Sequence, residues 1–116
     1  MSPQRLFKVE EFLQPADGEP IRSVITESAD AAVVAWYIKP EQHISVHVHP
    51  HGQDTWTILS GCGEYRISAQ GDSIAIAKGD VLVAHRGEVH GVVNTGDEPL
   101  IFISVVSPAA SGFELV

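Results

Sequence analysis

Apolar residues along the chain fall in short runs separated by Gly, Pro, Asp and Asn, a pattern that predicts β-strands. The predicted strands cover residues 31–38, 56–59, 64–68, 73–77, 81–84, 92–93 and 100–106. The last of these is an apolar run interrupted only by Ser104, which is typical of a strand buried on both faces. Residues 8–13 are the one weak candidate for a helical turn. Many short strands without a helix-length connection indicate an all-β sandwich or barrel.

A further predicted strand, residues 43–51, alternates polar and apolar side chains. Its odd positions hold four histidines and a serine, and its even positions hold Ile, Val, Val and Pro. Because side chains in a strand alternate between faces, His47 and His49 point the same way and can reach one metal ion. The alternative interpretation is a solvated strand edge with incidental histidines.

Composition narrows the class of protein and its partners. The 116 residues suffice for one domain, and seven Lys and Arg against fifteen Asp and Glu give a formal net charge of -8. We therefore expect neither nucleic acid nor an anionic membrane as a partner. The single cysteine, Cys62, excludes an internal disulfide, and the N-terminus has no signal-peptide pattern. These features predict a cytoplasmic protein.

The histidine strand is followed by a carboxylate and a glycine at regular spacing. Four residues separate His49 from Asp54, six separate Asp54 from Gly61, and five separate Glu41 from His47. This spacing resembles the first motif of the cupin family, which reads G, five residues, H-x-H, three or four residues, E, six residues, G. His47, His49 and Gly61 match that motif, while Asp54 stands at the glutamate position and Glu41 at the first glycine.

A second group of residues with regular spacing lies further along the chain, at Gly79, Gly87, His90 and Asn94. It resembles the second cupin motif, which reads G, five residues, P-x-G, two residues, H, three residues, N. His85 stands at the proline position. Together the two motifs cover residues 41–94, and the chain resembles a small single-domain cupin.

The resemblance implies an all-β double-stranded β-helix, or jelly-roll barrel, that is usually a homodimer. Residues 31–116 would form the barrel, and residues 1–30 an N-terminal arm and first strands packed on it, within a single domain. The family's metal ligands map onto His47, His49 and His90, which implies one divalent ion. Fe, Mn, Ni, Co and Zn are all compatible with such ligands.

The fourth ligand remains open between Asp54 and Gln53. Asp54 is in register but is shorter than glutamate, whereas Gln53 has the right length and needs a bulge at Gly52 to share the face. A carboxylate leaves a divalent centre at +1 and an amide leaves it at +2, a stronger Lewis acid. If neither contacts the ion, a three-histidine site remains.

Other side chains are candidates for the pocket and for catalysis. By alternation Trp56 and Ile58 share a face with Asp54, so they either line a substrate pocket or fill the core. His51 is a candidate for the pocket mouth, with a solvated loop residue as the alternative. His85 and Tyr65 are candidates for an acid or base, with a turn residue as the alternative for His85.

Three functions fit these observations, and whether the protein is an enzyme stays open. The first is a metal-dependent, dioxygenase-like oxidoreductase acting on a small organic molecule chelated to the metal. The second is a non-catalytic cupin that binds a sugar or an acid. The third is a metal-dependent isomerase or lyase, which needs a base beside the metal. Cupins host many unrelated activities, so the family does not choose between them.

Overall fold

A computed structural model describes residues 4–116, which form two five-stranded antiparallel sheets. The strands are β1 (Ser23–Glu27), β2 (Ala32–Ile38), β3 (His43–Val48), β4 (Gln53–Ser60), β5 (Cys62–Arg66), β6 (Ser73–Ala77), β7 (Val81–Ala84), β8 (His90–Val93), β9 (Leu100–Ser107) and β10 (Glu114–Leu115). The first sheet has the order β1-β2-β9-β4-β7, and the second has the order β10-β3-β8-β5-β6. The predicted all-β fold class is confirmed.

Local sequence explains most of these elements. The runs rich in β-branched and aromatic residues all become strands, and the glycine and proline positions between them become turns. The weak helical candidate is a single 3-10 turn, Val9–Glu11, and residues 4–116 contain no α-helix. Two strands lie outside the predicted runs. They are β1 and β10, which pair with β2 and β3 at sheet edges.

The hydrophobic core lies between the two sheets. Along β4, Asp54, Trp56 and Ile58 are buried, as the alternation predicts, and they face buried residues of β5, β8 and β9. In β9 alternate residues are buried and those between them are only half-buried. The expected burial of both faces of this strand is therefore wrong for its outer face, because the core packs only the inner face.

The predicted arm contributes an edge strand to the first sheet. Within residues 1–30, β1 pairs antiparallel with β2, from Ser23 opposite Ala35 to Glu27 opposite Ala32. The division at residue 30 stays a prediction, and its first three residues lie outside the described range. No helix within residues 4–116 has the length and apolar character to cross a membrane.

Candidate metal centre

Four candidate ligand side chains converge at one end of the space between the sheets. His47 and His90 are cross-strand partners in β3 and β8, His49 lies just beyond the end of β3, and Asp54 reaches across from β4. One possible ligand atom from each of them lies within 4.8 Å of the others. The two spaced motifs of the sequence therefore meet at a single point.

Strand pairing sets these positions. The β3–β8 register shifts between Ile44 and His47, and β3 ends at Val48, just before Pro50, which cannot donate to a ladder. His49 thus leaves the sheet but stays beside the cluster, with its ring centroid 5.1 Å from that of His47.

Each histidine of the cluster is held through its Nδ1 atom by a backbone carbonyl. The contacts run from His47 to Ser45 at 2.7 Å, from His49 to Gly112 at 2.7 Å and from His90 to Glu88 at 3.1 Å. A carbonyl oxygen only accepts hydrogen bonds, so in each ring Nδ1 is the donor. In the neutral rings Nε2 therefore carries the lone pair, which is the arrangement that metal-binding histidines need.

The carboxylate of Asp54 lies against two of these imidazoles. Its Oδ2 atom is 3.0 Å from Nε2 of His90 and 3.4 Å from Nε2 of His49. Its Oδ1 atom accepts a hydrogen bond from Ser104. With neutral rings, three acceptors face one another, so either an extra proton or a cation must lie between them. A divalent metal ion satisfies all of them at once, and the residues present therefore fit such an ion.

Electrostatics favours an ionised carboxylate in this cluster. Burial acts to raise the pKa of Asp54. Without a metal, an Nε2–H of His49 or His90 can donate to the carboxylate, and these hydrogen bonds, with the one from Ser104, outweigh burial and hold that pKa below its ordinary value. Because Asp54 is nearly fully buried, its negative charge needs a partner. An anionic ligand of this kind reduces the charge of a divalent centre to +1.

The two histidines of the first motif differ in basicity in the metal-free protein. Burial is the main reason that the pKa of His47 falls to about 4. Burial also lowers the pKa of His49, but its hydrogen bonds with Asp54 and the Gly112 carbonyl outweigh that effect and leave the pKa raised. The positive charge of Arg22 opposes this rise.

A cavity of about 760 Å³ opens beside the cluster, and His47, His49 and Asp54 form part of its wall. His90 lies behind them, outside the lining. Much of the rest is apolar, contributed by Val34, Trp36, Trp56, Val106, Phe113 and Leu115. The volume is that of a pocket for one small organic molecule.

Of the predicted pocket residues, Trp56 lines the cavity and Ile58 and His51 do not. Ile58 is two residues further along β4 and packs in the core between the sheets. His51 is exposed in the turn after β3, where its backbone N–H donates to the Ser111 carbonyl at 2.8 Å. Neither Ile58 nor His51 lines this cavity, and a role for them in binding a substrate stays a prediction.

The predicted acid or base residues also lie outside the cavity. The side chain of His85 is 71% exposed, and its Nδ1 atom is 2.8 Å from the carboxylate of Glu88. Tyr65 is buried edge-on against Trp56, with ring centroids 5.2 Å apart, and burial is the main cause that raises the pKa of its phenol. A surface pair and a neutral buried phenol are unsuited to act on a molecule in this cavity.

Gln53 lies on the opposite face of β4 from Asp54 and is exposed. The pairing of β4 with β9 is regular at this point, with Gln53 opposite Ser107 and Asp54 opposite Val106, so Gly52 introduces no shift of face. Of the two alternatives for the fourth ligand, Asp54 lies in the cluster, whereas Gln53 lies on the exposed face of β4.

Sequence reasoning missed the C-terminal segment, residues 111–116, as part of this site. Gly112 carries the carbonyl that holds His49, and the ring of Phe113 lies 4.9 Å from that of His47. The C-terminal segment can pass close to the turn after β3 because residue 52 is a glycine, where a Cβ atom would stand 2.7 Å from Cβ of Ser111. The glycines at 52 and 112 are the sequence signals that could have indicated this close approach.

Comparison with known proteins identifies the family of this all-β barrel. The family model described as Cupin domain matches residues 34–106, more than half of the chain, and the chain belongs to the cupin family. The predicted resemblance is thereby confirmed. No protein of curated function matches the chain significantly.

Three solved structures illustrate the likeness. An uncharacterized conserved protein with a double-stranded β-helix domain from Klebsiella pneumoniae is 49% identical over 98% of both chains, with a TM-score of 0.94. An RmlC-like cupin protein from Desulfovibrio desulfuricans is 25% identical over 94% of this chain and 98% of its own, with a TM-score of 0.74. TT1209 from Thermus thermophilus is 20% identical over 91% of this chain and 99% of its own, with a TM-score of 0.83. This likeness supports the fold alone.

Proposed function

We propose that His47, His49, Asp54 and His90 bind one divalent metal ion and that the protein is a dioxygenase-like oxidoreductase. Its substrate is a small organic molecule that chelates the metal inside the cavity. The observation that carries this proposal is the convergence of three Nε2 lone pairs and one ionised carboxylate beside a largely apolar cavity. Such an ion would supply Lewis acidity and, where it is redox-active, electron transfer to O2.

The chain's own residues have two tasks in this proposal. The backbone carbonyls of Ser45, Gly112 and Glu88 fix the orientation of the imidazoles, and Ser104 holds the carboxylate of Asp54. The apolar walls exclude water and favour a molecule with a substantial apolar part.

The lining of the cavity favours an oxidoreductase over an isomerase or lyase. Those reactions need a protein base, and His85, His51 and Tyr65 do not line the cavity. Outside the cluster, the titratable side chains that line the cavity are those of His43, Glu19 and Arg22, all on exposed positions of the wall, and an arginine stays protonated and cannot act as the base. The non-catalytic binding of a sugar or an acid is the second candidate, because a cavity without a poised base also suits simple binding.

The test is O2 consumption by Fe(II)-loaded protein with a panel of catechols, flavonols, diketones and thiols. We expect uptake with at least one class, and loss of that uptake in a His47→Ala/His49→Ala variant. The absence of uptake with every class would contradict the oxidoreductase assignment. A ligand-induced rise in melting temperature without turnover would favour the binding protein instead. The homodimer and the cytoplasmic location stay predictions of the sequence.

A further inference from the structure

Arg22 is an exposed residue of the cavity wall, and within residues 4–116 its guanidinium has no protein partner. Arg22 directly precedes β1, and among the described residues 4–116 no other Lys or Arg lines the cavity. Within residues 4–116 it forms no ion pair and no side-chain hydrogen bond, although Glu19 lines the same cavity. Elsewhere on the surface, Lys39 is paired with Asp17 at 2.8 Å.

Arg22 shares the cavity wall with three of the proposed metal ligands, His47, His49 and Asp54. A molecule that fills the cavity can therefore contact both Arg22 and the metal site. A planar guanidinium prefers a carboxylate, which it binds through two parallel hydrogen bonds. In a chain of net charge -8, an unpaired arginine beside an apolar cavity is a specific point of attraction for an anion.

The walls of the same cavity indicate the shape of that anion. Trp36 and Trp56 line it on the side of the first sheet. Phe113 lines it too and remains 59% exposed, although its ring lies 4.9 Å from that of His47. An aromatic side chain that lies on a polar cluster and stays exposed gains little from folding, whereas a planar molecule against its face would bury it.

We propose that the substrate is a small aromatic acid whose carboxylate binds Arg22, whose ring packs against Phe113 and whose other end bears the oxygens that reach the metal. This inference rests on the proposed metal site and adds the chemical class of its substrate. Arg22 is then the residue that selects acids over their neutral analogues. Phe113 selects planar molecules whether or not they are charged.

The test uses Zn(II)-loaded protein, so that binding is measured without O2 chemistry. The probes are protocatechuate, which carries the carboxylate, and its uncharged methyl ester. Quenching of tryptophan fluorescence reports binding, because both tryptophans of the chain line the cavity. Arg22→Gln should weaken protocatechuate binding roughly 10- to 100-fold, as expected for loss of a charged hydrogen-bonded pair. Binding of the ester should stay within about twofold of the wild type, since the ester offers no charge to the guanidinium.

The matched control is Arg66→Gln, which removes the same charge from an exposed residue of β5 outside the cavity. It should leave the affinity for both probes unchanged. Phe113→Ala should weaken both probes by a similar factor of roughly 2 to 10, the size expected for one aromatic contact. Zinc content is measured for every variant, so that a loss of metal is not mistaken for a loss of probe contacts.

Three results would overturn the inference. They are an equal effect of Arg22→Gln on acid and ester, an equal effect of the two arginine variants, and failure of zinc-loaded wild type to bind either probe. In each of these the bound zinc shows that the proposed metal site stands while the substrate class does not. A wild-type protein that fails to take up zinc would overturn both proposals together.

Discussion

Asp54 has histidines on two sides, and the two sides are supported in different ways. On the closed side, His90 is 1% exposed, lies in β8 and is held by the Glu88 carbonyl, two residues before it. On the open side, His49 lies beyond the end of β3, lines the cavity and is held by the Gly112 carbonyl, 63 residues later. One orientation is thus encoded locally, and the other depends on the C-terminal segment.

The two sides therefore affect different properties: the closed side affects the stability of the sheet, and the open side affects the access of a small molecule to the cluster. The closed side sits within the ladder between β3 and β8, where displacing a side chain would disturb the sheet. The open side borders the cavity through which a small molecule reaches the cluster. Changes to the C-terminal segment should therefore act on the open side first.

The largest effect is expected from the residue that both sides share. Asp54→Asn keeps the shape of the side chain but removes its charge and offers a weaker ligand. The metal affinity, measured by competition with a chelator, should fall by more than the roughly 10- to 100-fold that loss of a supporting hydrogen bond costs. Gln53→Ala, one residue earlier on the exposed face, is the control and should bind metal normally. The reverse result would restore Gln53 as the fourth ligand.

The next largest effect on metal affinity is expected at Gly112, whose carbonyl holds His49 on the open side. Gly112 has a φ of 77°, and an added Cβ atom would stand 3.0 Å from Cγ of Pro50. Gly112→Ala should displace the carbonyl that holds His49 and lower metal affinity roughly 10- to 100-fold. Gly71→Ala imposes the same kind of backbone strain, at a φ of 95°, in a turn with free space around it. Equal metal affinities in these two variants would show that the C-terminal segment does not support the site.

A smaller effect concerns the pH dependence of the metal-free protein. The pKa of His47 is about 4 when folded and 6.5 as the ordinary value, so the unfolded chain binds the proton more readily between these values. Its contribution to stability is therefore present above pH 6.5 and is lost as the pH falls toward about 4. The slope is at most about 1.4 kcal/mol for each pH unit. Urea unfolding with chelator present, at pH 4.5 and 7, should show a weaker pH dependence in His47→Gln than in the wild type.

His49→Gln is the variant to compare with His47→Gln, with urea unfolding also measured at pH 8. Its folded pKa is raised, so its contribution is complete below the ordinary value of 6.5 and is lost as the pH rises through the folded pKa. His49→Gln should therefore change the pH dependence in the opposite direction to His47→Gln, and above pH 6.5 rather than below it. Changes of the same sign in both variants would contradict the assigned environments.

The smallest effect is expected from the surface pair at the end of β7. His85 and Glu88 are both largely exposed and lie outside the cavity. His85→Ala should leave metal affinity, probe binding and O2 consumption unchanged, because solvent screens such a pair and no ligand contacts it. A loss of O2 consumption with normal metal content would restore His85 as an acid or base.

Much of the fold and the cluster could be predicted from sequence because the relevant patterns are local. Alternation along β4 predicts the burial of Asp54 and Trp56, and each of the two motifs is recognised from its own spacing. That His90 meets His47 and His49 is what the resemblance to cupins implies. Each of these patterns spans a single strand or a single motif.

The errors arise where position depends on distant packing. Alternation cannot tell how far along β4 the cavity extends, so it does not separate Trp56 from Ile58. The support of His49 by Gly112 joins residues 63 apart, and no spacing rule in either motif describes it. Edge strands β1 and β10 likewise depend on their partners rather than on strong strand patterns of their own.

The central claim is that His47, His49, Asp54 and His90 form one metal site, and metal stoichiometry tests it most directly. Wild-type protein is stripped with a chelator, reloaded with Fe(II) or Zn(II), dialysed and analysed for metal beside a His47→Ala/His49→Ala/His90→Ala variant. We predict one ion per chain in the wild type and none in the variant, which should remain a folded barrel by circular dichroism. Equal metal content in the two proteins, or no metal in the reloaded wild type, would contradict the account.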